Sequence, residues 1–64
     1  MEKLRNDILE KMDTLKQMGI KKGEIAEKIG MSRQGIHRII KEAKFKSTLE
    51  NLDKNLEMLI RFYK

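Results

Sequence analysis

Arg33, Gln34, His37, Arg38 and Lys41 follow one another at steps of one, three, one and three residues. On a helix those steps keep all five on one arc. Their chemistry is that of hydrogen-bond donation to a patterned, acceptor-rich surface. An arginine fork matches O6 and N7 of guanine, and a glutamine amide matches N6 and N7 of adenine. Arg33 and Gln34, in the first turn, are therefore the expected base readers, with His37 and Arg38 one turn on. Gly35, between the readers, lets the helix backbone come close to such a surface.

The charge distribution points the same way. The 64-residue chain carries 15 Lys and Arg against 10 Asp and Glu, net +5. Residues 1–20 and 47–64 are each neutral. Between them Lys21, Lys22, Lys28, Arg33, Arg38, Lys41, Lys44 and Lys46 face only Glu24, Glu27 and Glu42, which accounts for the whole excess. A neutral–basic–neutral layout suits a middle segment that meets a polyanion. Lys21, Lys22, Ser32, Gly35, Lys41, Lys44 and Lys46 are the expected contacts to a phosphate backbone, with the N-terminus of the second helix as a further anion site. Lys28 is also placed to pair with Glu24 one turn earlier.

Other chemistries find little support. There is no Cys and one His, so neither a disulfide framework nor a Cys–His zinc site can be written, and no cofactor is expected. No nucleophile–base pair or phosphate-cradling glycine loop stands out, so an enzyme is not expected. The lack of cysteine fits a reducing cytoplasm, and no segment has the length of apolar sequence that a membrane span needs.

Four helices are expected to position these residues. Leu4, Ile8, Met12 and Leu15 recur at steps of four, four and three, with Leu9 widening that face, from about Glu2 to Met18. Gly19 stops this helix and Ile20 folds back on Leu15. A short second helix, from Lys22 or Gly23 to Ile29, buries Ile25, Ala26 and Ile29 and ends at Gly30. Ser32 caps a third, about Arg33 to Lys44, with Ile36, Ile39, Ile40 and Ala43 inward. Ser47 or Thr48 caps the fourth, over about 47–63, and Ser47 with Glu50 has capping-box spacing. The five methionines are best explained as core packing, and no strand or internal repeat is visible.

The small Ala26 at a helix crossing, Gly30 free to adopt positive φ, and the apolar set Ile25, Ile29, Met31, Ile36 and Ile39 are the requirements of a helix-turn-helix. Residues 22–41, KGEIAEKIGMSRQGIHRIIK, resemble the helix-turn-helix of the phage-repressor superfamily, of the lambda repressor and Cro type. The likeness extends over most of the chain, with KSTLENLDKNLEML (46–59) resembling the family's next helix. It implies an all-α, four- to five-helix domain that binds duplex DNA as a dimer on a pseudo-palindromic operator. Lys21-Lys22-Gly23 departs from the polar Thr-Gln type of start that these proteins often show at helix two, which passes phosphate contact to the lysines. No ligand-sensing domain is expected, so an induction signal would come from elsewhere.

Leu49, Leu52, Leu56, Leu59 and Tyr63 step by three, four, three and four, an a/d stripe. Ile60 and Phe62 lie beside it. Leu52, Leu56, Leu59, Ile60, Phe62 and Tyr63 are the expected interface of a homodimer, and the same end of the helix could hold a further protein partner. The expected function is a sequence-specific transcriptional regulator, acting as a repressor, of phage or plasmid origin. Two alternatives stand beside it: a plasmid segregation or architectural DNA-binding protein, and a protein-interaction module (antirepressor or inhibitor) on the same fold.

Overall fold

The computed structural model describes residues 2–64, which form α1 (Glu2–Gln17), α2 (Lys22–Ile29), α3 (Arg33–Glu42) and α4 (Lys46–Tyr63). The described residues contain no strand, so the fold is all-α. Met1, one of the five methionines expected to pack in the core, lies outside the described residues.

Two of the helix ends share one device. Beyond α1, Gly19 sits at φ 88°. Its N–H donates to the Lys16 carbonyl at 2.9 Å, and the Ile20 N–H reaches back to the Leu15 carbonyl at 3.1 Å. Beyond α2, Gly30 sits at φ 76°, its N–H on Glu27 O and the Met31 N–H on Ala26 O at 2.9 Å. Both are Schellman turns: a left-handed residue lets two otherwise orphaned carbonyls find partners. Ile20 is thereby turned into the core.

The later boundaries differ from the expected ones. α3 stops at Glu42 because Ala43, expected inside the helix, takes the left-handed conformation (φ 46°, ψ 42°), with its N–H on Ile39 O at 2.9 Å. α4 begins at Lys46 after an extended Phe45, without a side-chain cap, so Ser47 and Thr48, the expected caps, both lie in its first turn and neither caps it.

The core joins Ile8 and Leu15 of α1, Ile20, Ile25 and Ala26, Ile36 and Ile40 of α3, and Leu49, Leu52, Leu56 and Leu59 of α4. The most extensive packing is between α1 and α4. Here the Lys11 ammonium donates to the Asp53 carboxylate at 2.8 Å across the half-buried seam. Leu52, Leu56 and Leu59, expected at a subunit interface, are thus buried within the single chain. A small chain must enclose its own core first, and α1 is the face available to do so. Of the expected six, Ile60 and Tyr63 are half-buried and Phe62 is exposed, as is Met58 one turn before it.

Leu9 also departs from its expected place. It is 43% exposed, on the α3 side of α1. Among the methionines, Met12 and Met31 pack against the core, whereas Met18 and Met58 are exposed.

Candidate nucleic-acid interface

The start of α3 is built by Ser32. Its extended backbone (φ −76°, ψ 155°) turns the chain, and its hydroxyl oxygen accepts the Gly35 N–H at 2.9 Å. This satisfies one of the four donors a helix N-terminus leaves unpaired, and leaves the Ser32 hydroxyl proton free to donate outward. A Cβ at Gly35 would stand 3.0 Å from that hydroxyl oxygen. The missing side chain therefore makes room for the cap, an intramolecular reason for a glycine that was expected to serve close approach.

From this start the amphipathic split of α3 is clean. Ile36 and Ile40 are buried and Ile39 is half-buried. Arg33, Gln34, His37, Arg38 and Lys41 are all exposed and line one open groove, together with Arg5, Leu9, Met12, Asp13 and Lys16 of α1 and Lys22 of α2. The expected readers are thus brought together. Lys21, Lys44 and Lys46 are exposed but do not line this groove; Lys44 lines a separate small hollow with Phe45 and Thr48.

The electrostatics of the face follow from what is missing around it. Among the described residues the ion pairs are Lys11–Asp53 and Arg61–Glu57, so none of the eight basic side chains of residues 21–46 is ion-paired. The expected Lys28–Glu24 pair does not form. Glu24 instead accepts a hydrogen bond from the Tyr63 hydroxyl at 2.7 Å, and the Lys28 ammonium lies 5.9 Å from the centroid of the Phe62 ring. One acid in the groove, Asp13, is held by Gln17, whose amide donates to it at 3.0 Å. α2 has no side-chain cap after Lys21, so the first amides of that helix stay open beside Lys21 and Lys22.

Arg5 and Lys16 escaped the sequence reading. Residues 1–20 are electrically neutral overall, which hid the fact that both basic side chains fall on the face turned to α3. Their spacing from Leu9 and Met12 was the available signal.

Among the described residues no three His, Cys, Asp or Glu side chains gather as a metal site, and no helix is long and apolar enough to cross a membrane. No family model, no curated protein and no solved structure matches this chain.

Proposed function

We propose that the protein is a sequence-specific duplex-DNA-binding regulator that represses transcription by occupying a promoter. α2, the Gly30 turn and α3 are read as a helix-turn-helix of the lambda-repressor type, with α3 as the helix that enters the major groove. The observation that carries this reading is the exposed face of α3. Arg33 and Gln34 stand at its Ser32-capped first turn, flanked by basic side chains without ion-pair partners.

Arg33 and Gln34 read base edges, and His37 and Arg38 extend the contact along the groove. Lys21, Lys22, Ser32, Lys41, Lys44 and Lys46 position the domain on phosphates. The longest dimension of the protomer is 29 Å. Each protomer carries one α3, and half-sites of a palindrome lie about 34 Å apart, so reading both needs two protomers. The exposed pair Met58 and Phe62 is the surface on which a second copy would close that dimer.

The deciding experiment is a salt titration of binding to duplex DNA, with selected and random sequences side by side. A log–log slope of several ions, with a preference for the selected duplex that persists at high salt, is the expected result. A steep slope without preference indicates an architectural protein. No binding at low salt removes DNA as the ligand.

A further inference from the structure

A duplex offers phosphates, polar base edges and, as its one apolar group in the major groove, the thymine methyl. It covers the apolar part of the groove on α1 at best in part. On α1, Arg5, Leu9, Met12 and Lys16 recur every three or four residues, share one face, and all line the groove opposite α3. This stripe is basic at both ends and apolar in the middle. At about 1.5 Å per residue it extends for roughly 16 Å, three helical turns. Leu9 lies in the middle of a helix in a chain with little core to spare, yet it remains 43% exposed. The rim is one-sided in charge: Arg5, Lys16, Lys22, Arg33, Arg38 and Lys41 against Asp13 and Glu42.

We infer that the groove between α1 and α3 is the docking site for an acidic amphipathic helix of a partner protein. The apolar edge of that helix seats on Leu9 and Met12. Its Asp and Glu side chains meet Arg5 and Lys16 at the two ends of the stripe and Arg38 and Lys41 across the groove. Apolar side chains bracketed by basic ones on α1, with the basic face of α3 opposite, are the complement of such a helix. Arg33, Arg38 and Lys41 also belong to the DNA-facing surface, so the partner helix and a duplex exclude one another. That second step rests on the proposed function; the docking itself does not. The partner then acts as a regulator that lifts the protein off its site.

The test uses a fluorescein-labelled synthetic helix of about four turns, with leucines along one edge and glutamates beside them. Control peptides replace the leucines by serine or the glutamates by lysine. Anisotropy is expected to show saturable binding of the first peptide, and at least about tenfold weaker binding of both controls. Leu9→Ser and Arg5→Glu, both at exposed positions, should each weaken binding by about tenfold, with helicity by circular dichroism unchanged. Lys3→Glu changes an exposed charge of α1 outside the groove and should leave affinity within about twofold.

The inference is overturned if the first peptide does not bind, if its serine control binds equally well, or if Leu9→Ser has no effect. In a parallel arm the peptide should release a labelled duplex in proportion to its own occupancy. Release failing while both ligands bind would sink the exclusion. A protein that binds no duplex at all refutes the DNA proposal, while the anisotropy arm still decides the docking.

Discussion

Tyr63, the last residue of α4, donates its hydroxyl to the Glu24 carboxylate of α2 at 2.7 Å, across 39 positions of sequence. Together with Lys11–Asp53 at 2.8 Å, it ties α4 at one point to α1 and at another to α2, the helix that sets the approach to α3.

Both ties predict a dependence of folding on alkaline pH. The hydrogen bond to Asp53 raises the Lys11 pKa above 10.5, and the hydrogen bond to Glu24 raises that of Tyr63 above 10.0. In each case folding favours the protonated form. The stabilisation is fully present below the ordinary value and is lost as pH rises through the raised one. The thermal midpoint should therefore fall once pH passes 10.0, the ordinary tyrosine value. Tyr63→Phe should melt slightly below the parent near neutral pH, and the difference should disappear at strongly alkaline pH. A difference that stays constant across the range would show that the hydroxyl–carboxylate bond is not its origin.

The two left-handed residues next to the α3 region make a paired prediction about backbone conformation. A Cβ at Gly30 would meet nothing within 4 Å, so Gly30→Ala carries backbone strain alone. It should cost about 1–2 kcal/mol in urea denaturation. Ala43 already bears such strain at φ 46°. Ala43→Gly relieves it, but loosens the unfolded chain and removes a half-buried methyl. Stability should then stay level or rise by no more than about 0.5 kcal/mol. A full kcal/mol lost at Ala43→Gly would mean that a left-handed turn does not end α3 in solution.

Self-association should follow the exposed, not the buried, side of α4. Met58 is 60% and Phe62 72% exposed. The Met58→Ser/Phe62→Ser double variant is expected to keep its helicity and to sediment as a monomer where the parent sediments as a dimer. Leu56→Ala, by contrast, opens a cavity in the core and should cost about 2–5 kcal/mol of folding stability. A parent that is monomeric throughout the concentration series would dispose of the dimer.

Base readers and phosphate contacts should separate in mutant binding curves. Arg33→Ala and Gln34→Ala are each expected to lose about 1–3 kcal/mol of preference between selected and random duplex, with little change on random DNA. Lys41→Ala and Lys46→Ala should weaken both duplexes alike and reduce the salt slope by about 1 each. Equal losses on both duplexes from Arg33→Ala would refute its role as a reader.

The features legible in the sequence are those whose cause lies within a few residues along the chain. Gly19 and Gly30 stop their helices because the left-handed conformation they allow pairs carbonyls only three to five positions back. Ser32 caps α3 through an amide three residues on. The outward arc Arg33–Lys41 is the remainder once Ile36 and Ile40 are buried. The tertiary structure decided everything that depends on which neighbour covers a face. Leucines 52, 56 and 59 present the same stripe whether α1 or a second subunit meets them, and here α1 does. Ala43 ends α3 against its own helical preference, because the chain must turn there for α4 to reach α1. Leu9, Arg5 and Lys16 acquire a common groove only once α3 lies beside α1. Periodicity specifies a face and its chemistry; what that face meets is settled by packing between segments that are distant in sequence.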